Sequence, residues 1–194
     1  MTMAEVKLLI TDFDGTLVDT FAANYAAYDK AFSEVGLSIT EEQYRNCFGY
    51  RFERFMAEMG VADAAVASEI RGLKGRYYPE FFDRLVVNRP LLEFLRAFRR
   101  SGAKTAIAST ARRRNLENAL AYIGAVDDFD LILAGEDVKE GKPSPEIYQT
   151  VVERMGVSPS EAIVFEDSAV GFAAAEAAGI CHVKVNEFFY GDRG

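Results

Sequence analysis

Two acids stand two residues apart in Asp12-Phe13-Asp14-Gly15-Thr16-Leu17-Val18-Asp19-Thr20. Side chains alternate along an extended chain, so Asp12 and Asp14 point to one side and Phe13 to the other. Carboxylates held that close repel each other. A divalent cation relieves the repulsion, and carboxylate oxygens suit Mg²⁺. Gly15 permits a sharp turn directly afterwards. A bare pair of this kind also fits a capping cluster in an acidic protein, so its meaning depends on what the fold brings near it.

Three further features qualify. In Ala108-Ser109-Thr110 a hydroxyl and the following backbone N–H groups stand where a strand would turn into a helix; they suit phosphate oxygens and equally suit an N-cap. In Gly141-Lys142-Pro143-Ser144-Pro145 two prolines stiffen a loop, and Pro145 opens a helix. A lysine held there can offset negative charge, and a solvated loop lysine would look the same. In Ile163-Val164-Phe165-Glu166-Asp167-Ser168 two adjacent acids offer further oxygen ligands or a helix start.

The elements that must position these residues are short apolar runs. Leu8–Ile10, Thr105–Ala108, Leu131–Ala134, Ala162–Phe165 and Val183–Val185 read as strands. Their near-continuous apolar character predicts a parallel sheet covered on both faces. Helical stretches Leu91–Arg100, Asn115–Tyr122, Pro145–Met155 and Ala169–Ala178 alternate with them. Gly102, Gly124, Gly156 and Gly179 follow as left-handed C-caps. This is an α/β pattern, and all four features fall at the carboxyl ends of strands, where such sheets bind ligands.

Residues 18–87 differ. No strand is evident, and Phe21, Tyr25, Tyr28 and Phe32 make a helical stripe. Phe52, Phe55, Met56 and Met59 make a second, and Leu73, Tyr77, Phe81 and Leu85 a third. These stripes read as the core of a small helical lobe. The expected division is 1–17 with 88–194 for the sheet domain and 18–87 for the helical cap.

Composition sets the outer bounds. At 194 residues, 49% apolar and 27% charged, the chain has the make-up of a globular domain with a small second lobe. The run Leu8–Ile10 is too short for a signal peptide and lacks basic residues before it. No window approaches the roughly 18 apolar residues of a membrane span. Cys47 and Cys181 match no metal spacing, and a reduced, cytoplasmic setting is expected. The net charge of −8 argues against nucleic acid. A small phosphorylated substrate stays compatible, because a bound cation and local bases reverse the field inside a cleft.

Taken together, these motifs resemble the haloacid dehalogenase-like superfamily, in its helical-cap branch of phosphoglycolate phosphatases and β-phosphoglucomutases. Residues 12–20 resemble its first motif, Ser109 its second, Lys142 within Gly-Lys-Pro-Ser-Pro-Glu-Ile-Tyr its third, and Glu166-Asp167-Ser168 with Gly171, Ala174, Ala175, Ala177, Ala178 and Gly179 its fourth. The resemblance covers nearly the whole chain. It implies a Rossmann-like core of strand order 5-4-1-2-3 with a helical cap inserted after the first motif. It further implies a magnesium-dependent phosphatase acting on a small phosphomonoester. Asp12 would attack phosphorus and form an aspartyl-phosphate, and Asp14 would serve as acid and then base. Ser109 and Lys142 would bind the transferring group. Mg²⁺ would be held by Asp12, the backbone carbonyl of Asp14 and Asp167, with Glu166 a ligand or a support behind one. A monomer or weak homodimer is expected.

Alternatives remain within and outside that family. Dehalogenases resembling this chain lack the second acid, so Asp14 argues against them. Phosphonate hydrolases use a cap lysine; Lys74, the only lysine of the later cap, has no evident desolvated setting, and Lys30 lies earlier, near a helical stripe. Sugar phosphomutases carry a cap histidine about where Asn24 stands, which leaves the mutase as second reading. The only histidine, His182, reads as structural. A non-catalytic phosphate-binding regulatory module is the reading from another class. Substrate contacts are expected from Thr16, Thr20, Asn24, Arg51, Lys74, Thr110 and Arg113. Arg112-Arg113-Arg114 place positive charge in a helix's first turn, against its dipole; they read as a solvated basic patch or, alternatively, as a patch of which at least one faces an anionic substrate group. Relatives usually continue past the Val183–Val185 strand; here the sheet's far edge is expected to be short or partly open.

Overall fold

The computed structural model describes residues 5–185. Its centre is β1 (Leu8–Thr11), whose four residues are all buried. The chain then turns through β2 (Val18–Asp19) into α1 (Phe21–Glu34), α2 (Glu41–Cys47), α3 (Phe52–Glu58) and α4 (Ala64–Tyr77), with a 3₁₀ segment over Tyr78–Arg84. It returns through β3 (Val86–Val87) and α5 (Arg89–Arg100). Strands β4 (Lys104–Ala108), β5 (Leu131–Leu133), β6 (Ala162–Glu166) and β7 (Cys181–Lys184) follow. Between them lie α6 (Arg113–Ile123), α7 (Glu146–Met155) and α8 (Ala169–Ala177).

The main sheet is parallel, in the order β5-β4-β1-β6-β7. Numbered as five core strands and read from the β7 edge, this is the expected 5-4-1-2-3. Leu8 lies opposite Lys104 on one side and Ala162 on the other, so β1, β4 and β6 end nearly level. Leu8, Ile10, Ala106, Ala108, Val164, Ile147 and Val151 pack in one apolar cluster with Ala174 and Ala175. Gly102, Gly124, Gly156 and Gly179 all have positive φ, as expected of C-caps.

The described residues divide into two compact units, residues 5–19 with 86–185 and residues Thr20–Leu85. The division falls two residues inside the expected 17/18 and 87/88 boundaries for a physical reason. Val18 and Asp19 pair antiparallel with Val87 and Val86, so the two connecting passages are a short ribbon of the sheet unit. The expectation that residues 18–87 hold no strand is corrected by the same pair. Runs of two residues are too short to show a period of two.

The helical unit has its own core of Phe21, Phe32, Tyr44, Phe55, Met56 and Ile70, with Tyr25, Tyr28, Phe52 and Met59 partly buried against it. The first two stripes are therefore apolar faces. The third is displaced by one residue. The buried positions are Ile70, Lys74, Tyr78 and Phe82; of the expected Leu73, Tyr77, Phe81 and Leu85, Leu73 packs partly buried against the same core. Lys74 buries its stem and sets its ammonium 3.9 Å from the Tyr78 ring centroid, which periodicity counting treats as a polar interruption.

The expected last strand, Val183–Val185, runs instead over Cys181–Lys184. The short far edge expected beyond Val185 concerns residues outside those described. Among the described residues no helix is long and apolar enough to cross a membrane.

Candidate active site

The four strand-end features converge at one edge of the sheet. Asp12 follows β1 directly, and its backbone N–H donates to the Phe165 carbonyl on β6. Residues 13–18 then fold back on themselves: Val18 N donates to Phe13 O, and Gly15 N to Val18 O. Gly15 has φ +90°, and a Cβ there would stand 2.3 Å from an Asp167 oxygen. Both the turn and the approach of the Asp167 carboxylate therefore favour glycine. Asn88 clamps this loop from behind, its amide donating to Thr16 O at 3.2 Å and its backbone N–H to Leu17 O.

Lys142 reaches the centre of the cluster. Its ammonium donates to Asp12 Oδ1 at 2.6 Å and to Glu166 Oε1. The pair is nearly dry, with side-chain exposures of 4% for Lys142 and 9% for Asp12. The loop bearing it is closed by Glu146, whose carboxylate accepts from the N–H groups of Lys139 and Glu140. Burial works against the Lys142 charge, but Asp12, Tyr148 and Glu166 outweigh it and hold the ammonium well above the ordinary lysine range.

Glu166 is fully engaged. Oε1 accepts from Lys142 and from the Tyr148 hydroxyl at 3.0 Å. Oε2 accepts from the backbone N–H groups of Asp167 and Ser168 and from the Ser168 hydroxyl. Burial opposes its ionisation, yet Lys142 and the Ser168 donors bring its pKa below the ordinary range. Gly171 on α8 leaves room for that carboxylate, since a Cβ there would overlap it.

Asp167 is oriented by Thr16, whose hydroxyl donates to Oδ1 at 2.8 Å. Thr16 was expected among the substrate contacts; here it turns its hydroxyl hydrogen toward a carboxylate. Burial pushes the Asp167 carboxyl up to about 6, with Glu166 adding to the rise and Thr16 and Lys142 opposing it. Asp12 is driven up by burial, against the pull of Lys142, and Glu166, Asp167 and Asp14 add to the rise. Ligand oxygens of Asp12, Glu166 and Asp167 lie within 4.8 Å of one another. Several buried carboxylates thus face one lysine. A divalent cation would supply the missing positive charge, and the all-oxygen donor set fits magnesium.

Ser109 completes the cluster. Its hydroxyl lies 3.5 Å from Asp14 Oδ2 and accepts from Ala111 N at 3.0 Å. Asp12, Asp14, Ser109, Lys142, Glu166 and Asp167 are therefore brought together, with Thr16 behind them. Thr110 lies on the same loop. Arg113, at the start of α6, is engaged by Glu117 and Asp137. Thr20, Asn24, Arg51 and Lys74 belong to the helical unit. Thr20 and Asn24 are buried on α1 and at its start, Arg51 is the exposed residue before α3, and Lys74 is buried on α4.

Tyr148 and Asn88 were not anticipated as site residues. The signal for Tyr148 was its place in the first turn of the helix that follows the lysine-bearing loop. For Asn88 it was the helix-capping type just before Pro90.

A family model described as haloacid dehalogenase-like hydrolase matches residues 9–185, and the chain belongs to that family. Among its relatives is the phosphorylated carbohydrates phosphatase of Thermotoga maritima, 32% identical over 182 residues that cover 90% of this chain and 82% of the relative. The fold is shared with CbbY of Rhodobacter sphaeroides in complex with phosphate, at TM-score 0.85 and 24% identity over 97% of this chain and 90% of that one. It is shared too with β-phosphoglucomutase of Clostridium difficile, at TM-score 0.77 and 24% identity over 95% and 86%.

Proposed function

We propose that this chain is a magnesium-dependent phosphatase that hydrolyses a small phosphomonoester, of the phosphorylated-carbohydrate kind, through an aspartyl-phosphate on Asp12. The observation that carries this reading is the buried Lys142 bridging Asp12 and Glu166 beside Asp167. Lys142 occupies Oδ1 of Asp12 and so orients the carboxylate, leaving Oδ2 to attack phosphorus. The bond from phosphorus to the ester oxygen breaks, and Asp14 gives that oxygen its proton. Asp14 then takes a proton from water, whose oxygen attacks phosphorus and breaks the bond to Asp12, releasing phosphate. Lys142 and the Ser109 loop hold the transferring oxygens, so positioning and charge complementarity supply most of the acceleration.

Asp12, Asp167 and the Asp14 backbone carbonyl would hold the metal, which when bound neutralises charge on the phosphoryl oxygens. Glu166, with both oxygens already accepting, would hold Lys142 in place. The test is hydrolysis of p-nitrophenyl phosphate with and without Mg²⁺, followed by a panel of sugar phosphates. Turnover that needs Mg²⁺ and vanishes in a folded Asp12→Asn variant is expected. Full activity in that variant would sink the covalent route, and isomerised sugar phosphate without free phosphate would favour a mutase.

A further inference from the structure

The loop that carries Ser109 and Thr110 is fastened from outside. Beyond β4 the backbone is held by the end of β5 and by the turn Gly135–Asp137 that follows it. Ser109 N donates to Leu133 O at 3.0 Å, and Gly135 N to Ala111 O at 2.9 Å. The two backbones approach so closely that a Cβ on Gly135 would stand 2.6 Å from the Thr110 carbonyl oxygen and 3.2 Å from its carbon. No flexible side chain lies there to yield, so any larger residue at 135 displaces the loop itself.

Two carboxylates on the same turn complete the fastening. Glu136 Oε2 accepts from Arg113 N at 2.9 Å, which gives α6 the cap that Arg112 does not supply. Asp137 Oδ2 accepts from Ala134 N at 2.7 Å and from the Arg113 guanidinium, joining its own turn to the first residue of α6. These acids also offset the charge of Arg112 and Arg113 at the helix start. Arg112 lies 3.5 Å from Glu136 as well.

We infer that Gly135 and Asp137 are positioning residues for phosphate binding: they set the Ser109-Thr110 loop, Gly135 by permitting the backbone approach and Asp137 through Arg113. This rests on the phosphatase reading for the role of the loop, and it gives Arg113 a place behind the loop in addition to any contact with substrate.

The probe is inorganic phosphate, titrated by calorimetry in the presence of Mg²⁺, alongside kcat and KM for p-nitrophenyl phosphate and the thermal midpoint. Gly135→Ala is expected to weaken phosphate binding and raise KM on the order of 10- to 100-fold, the scale on which ångström misplacements act. Asp137→Asn, which keeps the side-chain volume, is expected to shift both in the same direction by less. It serves alone should Gly135→Ala fail to fold. In a cycle with Arg113→Ala the Asp137→Asn effect on phosphate affinity should be non-additive. Wild-type phosphate affinity in the folded variants, whatever their thermal midpoint, overturns the inference, as does an additive cycle. A wild-type protein that binds phosphate without turnover would instead overturn the phosphatase reading and leave this measurement intact.

Discussion

Tyr148 acts on the site through one hydroxyl. The ring is fully buried and lies beneath Lys142, with the ammonium 5.1 Å from its centroid. The hydroxyl donates to the same Glu166 oxygen that holds the lysine. Tyr148→Phe keeps the packing and removes one of the donors on which a buried carboxylate depends. The expected loss of stability is about 1.5–3 kcal/mol, the scale for hydrogen bonds to charged groups. Because Lys142 orients Asp12, kcat should fall while KM changes less. Urea unfolding and steady-state kinetics on the one variant check both, and unchanged unfolding would mean that the hydroxyl is not bonded as described. Asp12, Ser109 and Glu166-Asp167 are legible in the sequence because each stands at the end of a short apolar run and is of a type that chemistry needs, and Lys142 because it sits in a proline-stiffened loop before a helix. Tyr148 and Asn88 are not, since a buried tyrosine or asparagine reads as core or cap until its partner is known. Thr16 is half legible: a hydroxyl in the motif is visible, but which carboxylate it turns to is a property of the folded loop.

At the scale of elements, buried strands are legible because a short, continuous apolar run suits a doubly covered strand and little else. The glycines are legible because a left-handed residue at a helix end strongly favours that type. The helical unit is less so. The buried face from Ile70 to Phe82 passes from α-helix to 3₁₀ geometry after Tyr77 and includes Lys74. Both features defeat a count at fixed period. Helix α2 carries a plain local signal of its own. Thr40 accepts from Gln43 N, Gln43 returns a bond to Thr40 N, and Glu41 and Glu42 occupy the first turn. Such a box satisfies two N-terminal donors. Thr40→Ala should destabilise the helical unit by about 0.5–2 kcal/mol, measured by urea unfolding. Tyr44 and Cys47, which this helix contributes to the aromatic cluster, would lose their hold first. Since Thr40 touches none of the strand-end residues, kcat should not change; a large fall in kcat would show that α2 matters to catalysis directly.

Across the whole molecule, pH acts on stability through the carboxylates proposed to hold magnesium, so the two effects should be coupled. Without metal, Asp167 titrates near 6 in the folded chain against an ordinary 3.8, because burial disfavours its charge. Below about pH 4 both folded and unfolded chains hold the proton, so this group does not alter stability. Between about 4 and 6 the folded chain keeps a proton that the unfolded chain releases. Stability from this source therefore falls as pH rises through that window and stays low above it. Asp12, also driven up by burial, pushes in the same direction. Magnesium held at these carboxylates, as proposed, would bind only their ionised, folded arrangement; it would offset this loss, and protons would compete with it at low pH. At a hundredfold excess over its Kd a bound ion adds about 2.7 kcal/mol, or roughly 5–10 °C in thermal midpoint for a chain of this size. Thermal scans with saturating Mg²⁺ and with chelator should differ by that much at pH 7.5 and by much less at pH 4.5. The Asp167→Asn variant, neutral at every pH, should lose most of the magnesium shift and raise the metal-free midpoint at pH 7.5. A magnesium shift of equal size at both pH values would mean that the ion binds elsewhere than at these carboxylates.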